Sequence, residues 1–142
     1  MFSSIQCAAR WDGWEPGLTR WIIALGDQPQ IERTTLATVL RFADAHPEAI
    51  CQPAYLGQRR HPVILPAAAW AALQTTQART LRDFLPTWPG EVQLCACADA
   101  GLALDLDTPA DYQAALTSPS NRRAGGSGDC HTPHSSGNGS PE

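Results

Sequence analysis

Two short apolar runs each end in an acidic loop, and this pairing limits the fold more than any other feature of the chain. Trp21-Ile22-Ile23-Ala24-Leu25 leads into Gly26-Asp27-Gln28-Pro29, and Leu102-Ala103-Leu104 leads into Asp105-Leu106-Asp107-Thr108-Pro109. The first run reads as a strand covered on both faces, and the second gives another strand. A carboxylate that follows such a strand stands at the rim of an α/β sheet, where these sheets bind ligands. Two converging carboxylates suit a divalent cation carrying a phosphorylated substrate.

Other segments supply the rest of an α/β alternation. Residues 1–17 read as a short helix and a loop. Leu36, Val39, Leu40 and Ala43 recur at helical spacing, and Pro47 closes that helix. Ala49–Leu56 and His61–Leu65 read as strands around a Gly57-Gln58-Arg59-Arg60 turn. Ala67–Leu73 is Ala-rich and predicted helical, and Arg79–Leu85 forms a second short helix that Pro86 ends. Glu91–Ala98 alternates as a strand. Pro109 opens a terminal helix to about Leu116, with Asp111 in its first turn. From Thr117 onward Ser, Gly, Pro, Asn and His dominate, so residues 117–142 are expected to be a disordered tail. No internal repeat is present.

Composition narrows the function. A chain of 142 residues with 43% hydrophobic and 17% charged residues has room for one domain with a true core. All of its basic residues are Arg, and a net charge of -4 without a basic stripe argues against a nucleic-acid surface. Five scattered cysteines form no compact disulfide framework, which fits reduced thiols and a cytoplasmic protein. The opening residues lack the charged and apolar regions of a signal peptide, and the longest apolar stretch, Pro62–Leu73, is too short to span a bilayer.

In order and spacing, four pieces resemble the MobA-like nucleotidyltransferases, and within them the molybdenum cofactor cytidylyltransferases. These pieces are Ser3-Ser4-Ile5, Leu25-Gly26-Asp27-Gln28-Pro29, Gly57 through His61-Pro62-Val63-Ile64-Leu65, and Leu104-Asp105-Leu106-Asp107-Thr108-Pro109-Ala110-Asp111-Tyr112. The resemblance runs over about Met1–Leu116. It implies the C-terminal portion of a Rossmann-like α/β nucleotidyltransferase sheet with flanking helices. It further implies an enzyme that uses Mg²⁺ and a nucleoside triphosphate, CTP in preference to GTP. The acceptor is a phosphorylated small molecule of the molybdopterin kind. Asp27 and Asp107 match the family's metal-holding, catalytic carboxylates, while Gly26, Gln28, Pro29, Arg59 and His61 fall at substrate-binding positions.

Departures accompany the likeness. The family begins with a strand and a Gly-rich L-x-A-G loop followed by Arg, Gly and Lys, and no such segment occurs here. That loop supplies backbone N–H groups and a cation to the triphosphate. The chain is therefore expected to be the acceptor and metal half of an N-terminally truncated domain, inactive alone. An enzyme with a start site placed too far downstream, a non-catalytic remnant or binding module, and one half of a split enzyme all satisfy this pattern. In the last case a partner strand pairs beside Trp21–Leu25. Arg60 also replaces the family's usual Gly before the histidine, and Thr75-Thr76-Gln77-Ala78-Arg79 stands where Asp-x-Gly-Ala-Arg is common.

Each candidate also has a plain structural role. Asp27 can be a turn residue, and Asp107 or Thr108 can cap the last helix. Asp105 reads as a structural group or as one that supports the site residues from behind. His61 reads equally as a neutral strand histidine bonded to backbone or as an acceptor contact. Arg59 and Arg60 can form a solvated turn, and Ser3 and Ser4 read as helix caps. Cys95 and Cys97 share a strand face and are expected to pack in the core, and Trp11, Trp14, Trp21, Trp70 and Trp88 are expected to pack rather than stack on bases. Cys130, His131 and His134 would hold metal only adventitiously.

Overall fold

Period-two alternation along one central strand builds two cores at once. In β2 (Ile50–Tyr55), Ile50 faces a cluster with Phe2, Val63, Leu65, Ala69, Trp70, Leu73, Phe84 and Leu85. Cys51 points the other way, to Val39, Ala43, Ala49, Ile64 and Cys95. The computed structural model that shows this describes residues 2–117. The predicted disordered tail, with Cys130, His131 and His134, lies outside the described residues except for Thr117.

The sheet is mixed and five-stranded, as expected for an α/β protein with flanking helices. β4 (Val63–Pro66) runs antiparallel to β1 (Arg20–Ile23), with Arg20 opposite Pro66 and Ile23 opposite Val63. It is antiparallel to β2 as well, where Cys51 meets Ile64. β5 (Val92–Ala96) is parallel to β2 from Ile50–Val92 to Ala54–Ala96. Because β4 opposes both neighbours, β1, β2 and β5 all point the same way.

β3 (Gln58–Arg59) and β4 share one edge of β2, and β5 takes the other. Pro53 sits where the shared edge passes from β4 to β3. Ile50 N–H and the Ala54 carbonyl bond toward β5, so Pro53 faces the shared edge, where its missing N–H breaks no continuous ladder. Its carbonyl accepts Arg60 N–H at 2.9 Å. The hairpin itself turns at Leu56 and Gly57, with φ of +48° and +75°. Two successive positive φ values match the right-handed twist of the flanking strands, and Gly57 takes its value without steric cost. The turn is thus Leu56–Gly57, and Gln58–Arg59, expected in a turn, are strand.

Helices cover both faces. α1 (Phe2–Arg10), α3 (Ala67–Ala72) and α4 (Leu81–Phe84) contribute to the first core. α2 (Arg33–Ala45) closes the second, burying Thr35, Val39 and Ala43. Leu36 and Leu40, expected on the buried stripe, stand on its flank at 37% and 45% exposure. Thr80 caps α4 by accepting Asp83 N–H at 3.0 Å. Leu85–Thr87 continues as a 3₁₀ turn that contains Pro86, which therefore does not end the helical path. α5 (Pro109–Thr117) begins with a reciprocal capping box. Asp111 accepts the Thr108 N–H at 2.9 Å, and Thr108 Oγ1 accepts the Asp111 N–H at 3.2 Å.

Three expectations change. β1 ends at Ile23 and is covered on one face only: Trp21 and Ile23 pack on the first core, while Ile22 is 52% exposed. It is also an edge strand, paired only with β4 among the described residues. Ser3 and Ser4 lie exposed within the first turn of α1, not at a cap. Leu102–Leu106 forms no strand. Asp99 accepts Gly101 N–H at 2.8 Å and starts a 3₁₀ turn over Ala100–Ala103, which buries Leu102 completely.

Four tryptophans contact one another, with Trp11 half-exposed against Trp14, while Trp88 packs on Phe84. Trp21 stacks on Trp70 at 5.2 Å and 4°, and Trp14 meets both edge-on. Cys95 is buried and Cys97 packs against its cluster, with their sulfurs 4.0 Å apart. Burial, reinforced by Cys95, pushes the Cys97 thiol up to about 11, so it stays protonated and unreactive near neutrality. No described helix is long and apolar enough to cross a membrane.

Candidate active site

β1 and β5 are the outer strands of the sheet and run the same way, so the segments that follow them leave at the same end. There they meet. The Leu106 N–H donates to the Asp27 carbonyl at 3.1 Å. Gln28 Nε2 donates to Asp105 Oδ1 at 2.6 Å, and Glu32 N–H donates to Asp99 Oδ2 at 2.8 Å. Gln30 Nε2 donates to the Gly101 and Leu104 carbonyls. Gly101 is required here, because a Cβ would lie 2.7 Å from the Gln30 carbonyl oxygen.

This clasp joins the two acidic loops through their backbones and amide side chains. The bond to the Asp105 carboxylate is charge-assisted, a class that contributes about 1.5–3 kcal/mol. Asp27 and Asp107 themselves project from it as exposed residues. Asp105 is engaged by Gln28 and Asp111 by Thr108, so neither carboxylate is idle.

Beside the clasp opens a cleft of about 260 Å³, lined by Leu25, Gln28 and Asp105 from the loops, Gln52 and Val63 from the sheet, Arg59, Arg60 and His61 from the hairpin return, and Leu81, Arg82 and Leu85 from the α4 region. Three guanidiniums face one carboxylate that is already bonded, so the lining favours an anion. His61 Nδ1 lies 3.3 Å from the Ile23 carbonyl. A carbonyl only accepts, so Nδ1 carries the proton and a neutral ring keeps Nε2 as an acceptor. The histidine is thus held by backbone and lines the cleft.

A smaller hollow shares Leu25, Gln28 and His61 with the cleft and adds Ala24, Pro29, Ile31, Leu36 and Pro62. Of the sequence candidates, Gln28, Arg59 and His61 thus come together in the cleft and Pro29 in its neighbour. Gly26, Asp27 and Asp107 line neither. Gln52 and Arg82 were not identified from sequence. Gln52 does carry a signal, as the polar residue in the apolar run Ile50-Cys51-Gln52-Pro53-Ala54; Arg82 carries none.

The donor set at the loop tips fits a hard cation such as Mg²⁺, which commonly takes one or two carboxylates and fills its remaining positions with water and substrate phosphate. Among the described residues no three His, Cys, Asp or Glu side chains gather into a metal cage.

The mixed α/β sheet with flanking helices has a nucleotidyltransferase-like fold, and a cleft opens at the end of its parallel strands. The family model of the MobA-like NTP transferase domain matches residues 1–92, and the chain belongs to that family. The match covers the Asp27 loop and stops before the Asp107 loop, short of the full Met1–Leu116 span of the resemblance. Among solved structures, the Mycobacterium tuberculosis Rv0371c homologue from Mycobacterium sp. strain JC1 superposes with a TM-score of 0.62 at 23% identity, over 86% of this chain and 59% of that one. Rv0371c from M. tuberculosis H37Rv, in complex with manganese, gives 0.57 at 26% identity over 81% and 60%. A further H37Rv Rv0371c structure gives 0.56 at 27% over 82% and 59%. The chain thus spans about three-fifths of the length of each. No curated protein matches it significantly.

Proposed function

We propose that this chain forms the metal and acceptor part of a Mg²⁺-dependent cytoplasmic nucleotidyltransferase of the molybdenum cofactor cytidylyltransferase type. An oxygen of the acceptor's phosphate attacks the α-phosphorus of a nucleoside triphosphate, CTP before GTP. A new P–O bond forms, the bond to the β-phosphate oxygen breaks, and pyrophosphate leaves. Family membership supports the reaction class. The observation that carries the residue assignment is the clasp: a 3.1 Å backbone bond ties the loop of Asp27 to the loop of Asp107.

Asp27 and Asp107 would hold the metal, whose charge would offset that developing on the α-phosphate and the leaving pyrophosphate. Arg59 and Arg60 would take the acceptor's phosphate, aided by Arg82. His61, with Nδ1 held by the Ile23 carbonyl, would present Nε2 to the acceptor. Gly26, Gln28 and Pro29 shape the loop around it. The acceptor is a phosphorylated small molecule sized for the cleft, with molybdopterin as the candidate the family offers. The manganese in the Rv0371c complex supports a divalent cation for this fold.

The test is Mn²⁺ binding followed by transfer. Asp27→Ala and Asp107→Ala should each weaken Mn²⁺ binding at least tenfold. In a transfer-competent preparation, whether the chain alone or paired with a segment bearing the Gly-rich loop, Asp27→Ala should lower pyrophosphate release by on the order of 10³. Unchanged Mn²⁺ affinity in both variants would remove the assignment of these carboxylates.

A further inference from the structure

Two amide side chains in the cleft are buried and incompletely bonded. Gln52 is 2% exposed, and its Nε2 has no hydrogen-bond partner. It lies two residues from Ile50 along β2 and so faces the same side, beside Val63 and Leu85 in the cleft lining. Gln28 is 8% exposed, and its Oε1 likewise lacks a partner.

The Gln28 orientation is not arbitrary. A carboxylate only accepts, so the 2.6 Å contact with Asp105 fixes Nε2 toward Asp105 and leaves Oε1 as the unmatched atom. No side-chain bond fixes the rotation of the Gln52 amide, which can therefore offer its Nε2, so the same cleft holds a buried donor and a buried acceptor that both lack partners. Buried polar groups are almost always satisfied, and a pair left unmatched in one cleft is explained by a ligand that completes them. The three arginines supply the rest of the complementarity.

We propose that Gln28 and Gln52 determine specificity in this cleft by reading an amide-type edge, one N–H and one C=O, on a flat anionic ligand, and that Asp105 is the positioning residue that sets the polarity of Gln28. This assignment rests on the reading of the cleft as an acceptor site and adds to it which atoms choose the ligand. Gln28 Oε1 accepts the ligand N–H, Gln52 Nε2 donates to its C=O, and the anionic end meets Arg59, Arg60 and Arg82. Asp105→Asn offers Gln28 a donor in place of the carboxylate. The Gln28 amide can then turn over and present Nε2 to the ligand.

The probes are uridine 5′-monophosphate, which carries such an edge, and 3-methyluridine 5′-monophosphate, in which the N–H is blocked. Binding is measured by calorimetry in EDTA, so that metal-dependent contacts do not contribute. The wild-type chain should prefer the unmethylated nucleotide at least tenfold. Gln52→Leu and Gln28→Leu should each reduce that preference to within about threefold, and Asp105→Asn should erase or invert it.

Thermal unfolding separates recognition from structure. Gln52→Leu removes an unmatched buried donor, so its Tm should hold or rise by a few degrees. A fall in Tm would mark Gln52 as a structural amide and overturn the proposal. Equal binding of the two nucleotides by the wild type, or binding of neither, would also overturn it. Inorganic phosphate tells that failure from failure of the acceptor reading. Phosphate binding that is lost in Arg59→Ala and Arg82→Ala leaves the acceptor site standing without its specificity, whereas absence of phosphate binding removes both.

Discussion

The two faces of the sheet are built to different standards of completeness. Under α2, Val39, Ala43, Ala49, Cys51, Ile64 and Cys95 form an apolar cluster, and buried Thr35 of the same helix is not among the unmatched polar groups. On the opposite face, Trp21, Trp70, Trp88 and Gln52 each hold one, as do Gln28, Gln30 and Arg60 at the strand ends. An unmatched buried group costs about 1–3 kcal/mol, so a fold retains several only where something offsets them. The closed face secures the structure, and the incomplete one carries the cleft, where Gln28, Gln52 and Arg60 are the unmatched groups in its lining.

The comparison can be broken most forcefully on the closed face. Ile64 is 1% exposed, and Ile64→Ala should cost about 2–5 kcal/mol in unfolding free energy while leaving phosphate affinity unchanged. Denaturant melts and calorimetry on the same preparation check both halves of that statement. On the open face, Asp105→Ala frees Gln28 and should cost about 1.5–3 kcal/mol, with ligand preference lost at the same time. If stability fell without any change in preference, the cleft would be only an imperfect core.

Thr108→Ala removes one arm of the α5 capping box and should cost about 0.5–2 kcal/mol. It should also loosen the Asp107 loop, seen as faster amide exchange at Leu106, whose N–H closes the clasp. The smallest effect concerns pH. Cys97 is held above its ordinary value of 9.0, so the folded state binds more protons than the unfolded one between that value and about 11. Stability is therefore fully present below pH 9 and declines as pH rises through that window. Iodoacetamide at pH 8 should label exposed Cys7 well before Cys51, Cys95 or Cys97; equal rates would mean that the closed face breathes.

Most of the architecture was legible because local patterning and tertiary burial agree. Apolar runs marked β1, β2, β4 and β5, and Pro47 and Pro109 bounded α2 and α5. The failures have a common cause. Leu102-Ala103-Leu104 has strand composition, but the Asp99 carboxylate, two residues before Gly101, starts a turn there, and the close approach of Gly101 to Gln30, remote in sequence, holds it. Leu36 and Leu40 fit a helical period, yet a narrow contact with the sheet buries only the stripe through Val39.

The site was legible by motif at Gln28, Arg59 and His61. Asp105 was read as structural, and its bond to Gln28 bears that out. Gln52 needed the sheet, since only the register of β2 against β4 sets its amide beside a hairpin from later in the chain. Arg82 needed the docking of α4, which no local pattern encodes.

The outer edge of β1 remains unpaired among the described residues, and Ile22 leaves it partly apolar. A chain presenting such an edge should self-associate or take up a partner strand, and Ile22→Lys should suppress self-association. A concentration-independent monomer in sedimentation runs of the unmodified chain would contradict this.

The stacked indoles of Trp21 and Trp70 give that edge an optical consequence. Trp21 belongs to β1 and Trp70 to α3, and at 5.2 Å with planes 4° apart their electronic transitions couple. Whatever peels β1 from the sheet must separate the two chromophores, so the near-ultraviolet dichroism of this pair is a built-in gauge of whether that edge strand is seated.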